Sequence, residues 1–244
     1  MKRYKAWVQA IVMPLPTIEL VWLECSELSA ALRPGQFVMG ERSPRDQQDY
    51  LLKAWPVFDC TNTGLVVSLP AHSCGQLVVG DELSLLGPCG KAIDRSTSGR
   101  RVGLVCEGVS PCPLMGMISD IDAGHLIVHP PTEGQVFPSS FLPENVEYSV
   151  YAGASATHAF WQALEGLCLW ADVLYAVGCD AFYARLANLV SHLRPTASSD
   201  WGRAWHLEFV HCGMKRCEGC AVVTAHGIRY ECTDGPFLEL GDFV

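Results

Sequence analysis

Residues 1–90 carry their apolar positions in short runs broken by glycine and proline. Tyr4 to Val12 and Ile18 to Glu24 are rich in β-branched and aromatic residues and read as strands. Arg33-Pro34-Gly35-Gln36-Phe37 reads as a turn feeding a third strand. Gly64 to Leu69 and Glu82 to Leu86 read as further strands, with turns at Gly80-Asp81 and Gly87-Pro88. Short strands punctuated in this way predict a small β-barrel. The polar stretch Asp94 to Arg101 then predicts a domain boundary.

After Arg101 the pattern changes to apolar runs alternating with stretches of helical period. Strands are predicted at Val102 to Cys106, Leu126 to His129, Val146 to Ala152 and Val173 to Val177. Helices are predicted near Leu114 to Ile121, at Thr157 to Leu164 and at Ala181 to Leu193, with a loop over Leu193 to Ser199. Strands alternating with helices imply a parallel, doubly wound sheet. In the tail, Ala221 to Ala225 and Ile228 to Glu231 read as a hairpin about His226-Gly227. There is no internal repeat and no low-complexity tract.

Composition narrows the function. Seventeen basic and 26 acidic residues give a formal charge of −9, with no basic run, which argues against nucleic acid as a partner. With 49% hydrophobic and 18% charged residues, a buried core is expected. No apolar stretch reaches the ~20 residues of a spanning helix; the best candidate, Leu167 to Cys179, contains Asp172, so membrane insertion is not expected. The basic, then apolar N-terminus resembles a signal peptide, but Pro14, Pro16 and Glu19 interrupt it and no small-residue cleavage site follows. A cytoplasmic protein is expected.

Twelve cysteines are unevenly placed, and Cys212, Cys217, Cys220 and Cys232 crowd the end of the chain. Their spacing is C-x4-C-x2-C-x11-C, and the first three positions reproduce that of plant-type [2Fe–2S] sites. Gly213 and Gly219 allow backbone amides to approach the sulfurs, and the hairpin returns Cys232 to the loop. A zinc ribbon places its cysteines as two close pairs, which Cys232, without a second cysteine nearby, does not satisfy. Four unrelated buried thiols are the other alternative. Cys106, Cys112 and Cys179 fall at neighbouring strand ends of a doubly wound sheet. They read either as a second metal or redox site or, the commoner case, as small buried hydrophobes. His211, beside Cys212, reads as a cluster neighbour or a surface histidine.

The tail Cys212-Gly-x3-Cys217-x-Gly-Cys220 … Cys232-x-Asp234-Gly235-Pro236 resembles the iron–sulfur tail of the electron-transfer subunit of NAD-linked dihydroorotate dehydrogenase, within the ferredoxin–NADP reductase superfamily. Leu32-x-Pro34-Gly35-Gln36-Phe37 and Gly80-Asp81-x-Leu83-x-x-Leu86-Gly87-Pro88-x-Gly90 resemble the same family. The resemblance implies a β-barrel plus α/β ferredoxin-reductase-like architecture: a flavin-binding-type barrel over 1–97, a Rossmann-like nucleotide-binding-type domain over 98–204 and a [2Fe–2S] tail over 205–244. It implies a flavoprotein component of an oxidoreductase, not a self-sufficient enzyme. Its electrons would pass between NADH and a partner catalytic subunit through FAD and the cluster, in pyrimidine biosynthesis.

The nucleotide motifs depart from that pattern. Where the family has R-P-x-S/T for FAD, this chain has Trp55-Pro56-Val57-Phe58, and Lys53 offers a charge without the bidentate fork of arginine. The family's Gly-Thr pair gives way to Pro70-Ala71, followed by His72 and Ser73. Lys53, Trp55, Pro56, Val57, Phe58, His72 and Ser73 are therefore the candidate FAD residues, with the Trp/Phe pair either stacking on a ring or forming ordinary barrel core. FAD binding stays open. In the second domain the Gly-rich phosphate loop is replaced by Cys106-Glu107-Gly108-Val109-Ser110-Pro111-Cys112-Pro113-Leu114. Glu107 brings negative charge and two prolines remove N–H donors, so NAD(P)H binding is not expected. Ser155 stands where arginine is common, and Gly178-Cys179 replaces a Gly-Pro pair. Two readings follow. One is an electron-transfer subunit in a hetero-oligomer with a catalytic oxidoreductase subunit, docking near Met214-Lys215-Arg216. The other is a non-redox scaffolding subunit that retains the fold to bind a partner.

Overall fold

A computed structural model describes residues 1–41, 52–71, 77–93, 99–108, 110–118 and 121–243. The chain divides into two compact units. One is Met1–Ile93 with Leu207–Val222 and Tyr230–Pro236; the other is Asp94–His206 with Val223–Arg229 and Phe237–Val244. Residues 205–244 are thus shared between the two.

In the first unit, strands β1 (Lys2–Leu15), β2 (Ile18–Glu24), β3 (Phe37–Gly40), β4 (Lys53–Cys60), β5 (Gly64–Pro70) and β6 (Glu82–Cys89) close into a barrel in the order β1-β2-β5-β4-β3-β6. Each of the six neighbouring pairs is antiparallel. Period-two alternation sets the inside: on β1, Ala6 and Val8 are buried between exposed Lys5, Trp7 and Gln9. They meet Val21, Leu23, Val38, Leu65, Val67 and Leu85 in one apolar core, closed by Leu28 of the short helix α1 (Ser26–Ala31). The basic start of the chain is barrel strand, its Lys2, Arg3 and Lys5 paired on the surface with Glu27, Glu41 and Glu82.

The second unit is built on β7 (Arg101–Glu107), β8 (Ala123–His129), β9 (Val146–Val150), β10 (Val173–Val177) and β11 (Gly202–Trp205), all parallel. The tail contributes a separate hairpin, β12 (Ala221–Thr224) with β13 (Gly227–Tyr230), and then β14 (Phe237–Glu239), which joins the sheet antiparallel to β11. The order β14-β11-β10-β7-β8-β9 reverses between β7 and β10, the doubly wound arrangement expected. Helices α2 (Cys112–Ile118), α3 (Thr157–Trp170) and α4 (Asp180–Leu193) connect the strands. Phe160, Leu164 and Leu167 of α3 and Phe182 and Leu186 of α4 bury Val105, Ile127, Leu174 and Ala176 of the sheet. At the start of β7, Arg101 grips Asp172 through its side chain and its amide, and these bonds hold the Asp172 carboxyl down at about 2.

Some boundaries differ from the sequence reading. Helix α2 starts two residues earlier and stops at Ile118, because Pro113 is tolerated in a first turn, where its missing N–H has no helical partner. Helix α3 runs six residues further, to Trp170, since Leu167 and Cys168 continue its buried face. Among the described residues no helix is long and apolar enough to cross a membrane.

Candidate functional site

All four tail cysteines belong to the barrel unit. The loop that carries them turns through three left-handed residues: Gly213 at φ 67°, Lys215 at φ 60° and Glu218 at φ 54°. For the two non-glycine residues this conformation is uncommon and persists where surrounding bonds enforce it. It turns amides toward sulfur. The N–H of Met214 donates to Cys212 Sγ at 3.4 Å, and that of Lys215 to Cys232 Sγ at 3.1 Å. The amides of Arg216 and Cys217 also serve Cys212. Burial opposes ionisation of Cys212, but these amides and the Cys217 thiol outweigh it and bring its thiol down to about 7. Cys232 goes the other way, to about 12, through burial and the neighbouring Cys220 thiol, 3.2 Å away. Cys220 and Cys232 are buried and Cys217 is exposed.

The thiols therefore lie in two hydrogen-bonded pairs, 212 with 217 and 220 with 232. Among the described residues no three or more His, Cys, Asp or Glu side chains converge as a finished metal site. What fits an iron–sulfur group is the chemistry of the set: four thiols in one loop, with backbone donors already aimed at two of them.

The barrel seats this loop. Gly90, just past β6, donates to the Cys232 carbonyl at 3.1 Å, and Lys91 donates to Gly235 O at 2.6 Å. A Cβ on Gly90 would meet Pro236 at 2.8 Å, which leaves no room for a side chain, and one on Gly213 would sit tightly at 3.1 Å from Cys89 Sγ. Within the loop, Asp234 accepts from Tyr230 N at 2.8 Å, giving the Asp234-Gly235-Pro236 motif a turn-closing role. Glu231 is 0% exposed and accepts from the amides of Glu208 at 2.9 Å and Phe209 at 3.0 Å. Sequence reasoning missed Glu231 and Cys89, whose roles arise only through partners distant in the chain. Lys215 Nζ lies 4.0 Å from the Tyr230 ring centroid, so it is a cation held on an aromatic face. His211 is exposed beside Gly219.

The candidate flavin residues of β4 separate by face. Trp55 and Val57 point into the barrel core, the ordinary core reading for those two. The Trp55 ring occupies the space where a Gly40 side chain would stand, its Cη2 and Cζ3 each 2.1 Å from the would-be Cβ. Gly40 of β3 and Trp55 of β4 thus complement each other. Lys53 and Pro56 are half-buried and Phe58 is 8% exposed. His72 and Ser73 lie outside the described residues.

In the second unit three of the described amides of the loop after β7 are committed. Gly108 donates to His129 O at 3.0 Å, Cys112 to Ser110 Oγ at 3.2 Å and Leu114 to Pro111 O at 2.8 Å, while Pro111 and Pro113 have none to give. Cys106 and Cys112 are buried and Cys179 is exposed. Cys106 and Cys179 lie around buried Tyr183, whose hydroxyl accepts from Gly178 N at 2.8 Å and donates to Trp205 O.

No protein-family model matches the chain, and no curated protein matches its sequence. Solved structures do match its fold. The NADH-dependent reduced ferredoxin–NADP oxidoreductase, studied for flavin-based electron bifurcation, aligns with a TM-score of 0.76 at 17% identity, over 97% of this chain and 88% of its own. The ferredoxin reductase of carbazole 1,9a-dioxygenase aligns at 0.67 and 15% identity, over 83% of this chain and 68% of its own. A mutant ferredoxin–NADP⁺ reductase from Plasmodium falciparum, in complex with 2′P-AMP, aligns at 0.63 and 10% identity, over 83% and 95%. The chain has the ferredoxin-reductase fold, an antiparallel β-barrel and a doubly wound α/β unit in one polypeptide.

Proposed function

We propose that this chain is an electron-transfer subunit. In this reading Cys212, Cys217, Cys220 and Cys232 hold a [2Fe–2S] cluster that passes electrons to or from a catalytic partner subunit, as in the dihydroorotate dehydrogenase subunit it resembles. The observation that carries the reading is the cysteine loop itself, whose left-handed turns aim backbone amides at sulfur. A second support is the match covering 97% of the chain, which must include most of residues 205–244. When bound, the cluster supplies one-electron storage at a potential set by hydrogen bonds to its sulfurs and by exposure. The protein's part is to supply four thiolates, to neutralise them with amides, and to bury the Cys220–Cys232 side while Cys217 stays exposed.

The exposed side of the loop is the face offered to a partner. Met214 is 48% exposed and Arg216 is exposed beside it, an apolar and basic spot on a chain of net charge −9. Lys215, held on Tyr230, contributes its charge from a fixed place. In this reading NAD(P)H is handled by another subunit, since the loop after β7 retains few free donors. A flavin on this chain would rest on Lys53, Pro56 and Phe58, not on Trp55.

Those same two departures favour the second reading, a scaffold without redox chemistry. The visible spectrum of anaerobically purified protein, with iron, sulfide and zinc analysis, separates the two. We expect cluster bands with two irons and two sulfides per chain, and flavin bands in addition where FAD is retained. A colourless chain establishes the scaffold reading, and one zinc without sulfide overturns the cluster.

A further inference from the structure

The end of β6 forms the floor under the cysteine loop, and one of its residues has chemistry of its own. Cys89, the last residue of β6, is 3% exposed and pairs across the barrel with Phe37 of β3. Its thiol donates to Met1 Sδ at 3.3 Å and lies 3.7 Å from Leu86 O. Above it runs the Cys212–Gly213 peptide. The position a Gly213 Cβ would take is 3.1 Å from Cys89 Sγ, 3.2 Å from Met39 Cγ and 3.5 Å from Met1 Sδ. The ligand-bearing loop therefore rides on a floor of two thioether side chains and one thiol, pinned on the next residues by Gly90 N to Cys232 O and Lys91 N to Gly235 O.

Resting on the cluster reading above, we infer that Cys89 tunes the reduction potential of that cluster by setting the packing and polarity of the floor beneath Cys212. The argument is one of proximity and chemistry. Cluster potentials respond to hydrogen bonds, to nearby dipoles and to burial around the coordinating sulfurs. Burial pushes the Cys89 thiol up to about 12, so it presents an S–H dipole without adding negative charge beside four thiolates. The two methionines nearest the same point, Met39 and Met1, accept weakly and cannot donate. Cys89 adds an S–H to this floor. It coordinates nothing in this proposal, and it acts through the Cys212–Gly213 segment as a positioning residue.

The test uses the full chain, loaded anaerobically, with Cys89→Ala, Cys89→Val and Cys89→Ser compared by EPR-monitored redox titration and by iron and sulfide content. Cys89→Ala and Cys89→Val both lack the donor, and Cys89→Val largely preserves the volume. Each should load its cluster, show a midpoint potential shifted from that of the wild type and alter the g values. Cys89→Ser restores a donor and should recover at least part of the shift. Where Cys89→Ala fails to fold, Cys89→Val carries the comparison. Loaded thiol-free variants with wild-type potential and g values overturn the inference and leave the cluster reading standing. A wild-type chain without iron and sulfide overturns that reading, and the inference with it.

Discussion

The cysteine loop of the first unit and the loop after β7 of the second both reverse the backbone through a left-handed glycine, Gly213 at φ 67° and Gly108 at φ 72°. Beyond that they diverge. In the cysteine loop the amides that follow the glycine, Met214 and Lys215, donate to sulfur. In the second loop the Gly108 amide is taken by the neighbouring strand, the Cys112 amide by the Ser110 hydroxyl, and two positions are proline. The helix that follows, α2, covers seven of the described residues. An anion is held by donors left over after the fold has satisfied itself. By that measure the cysteine loop offers its amides to sulfur, while the described donors Gly108, Cys112 and Leu114 of the loop after β7 are spent within the fold.

The largest effect expected from this contrast is at the buried cysteine pair. Cys232→Ser should abolish the cluster bands and remove the bound iron and sulfide, because a hydroxyl replaces the sulfur that Lys215 N serves. Retention of a wild-type spectrum in this variant would break the contrast from the side of the cysteine loop. The second test strikes the other side. Titration of NADH into the isolated chain should show no saturable heat up to about 1 mM, a level equivalent to only about −4 kcal/mol. A micromolar dissociation constant would mean that the committed donors are not what decides nucleotide affinity. The smallest effect concerns the support of the cysteine loop. Glu231→Ala strips the acceptor from two amides beside Cys232 and should cost roughly 1–3 kcal/mol in chemical denaturation, with faster cluster loss at fixed chelator concentration. Unchanged stability and cluster lifetime would show that the loop holds its shape without this anchor.

The barrel and the doubly wound sheet were legible because their signals are local: alternation on β1, and apolar strands separated by helical runs from Val102 to Leu193. What escaped depends on neighbours. Strands β11 and β14 have four and three residues, too few for a period to show, and exist because β10 and each other complete their ladders. Helix α1, six residues without a side-chain cap, is held by Leu28 in the barrel core. Strand β4 was masked by reading Trp55-Pro56-Val57-Phe58 as a motif; the inward turn of Trp55 depends on the empty place at Gly40, which no spacing rule connects to it. The four cysteines were legible as a set because spacing carries them. The buried Glu231 anchor and the thiol of Cys89 were not, because each acquires meaning only when remote backbone arrives beside it.

The pairing of β11 with β14 sets Trp205 opposite Phe237, so the whole stretch 206–236 begins and ends at neighbouring points of one sheet. The cysteine loop is thus a closed excursion, not a dangling terminus. Bringing the ends of such a stretch together from a free chain costs on the order of 3 kcal/mol in loop-closure entropy. Here that cost is met when the sheet folds, independently of any metal. A chain that has lost its inorganic group keeps its cysteine segment tethered at both ends, so repair by reinsertion should begin from a confined loop, whereas an excised peptide carrying the same four cysteines would first have to find its own closure.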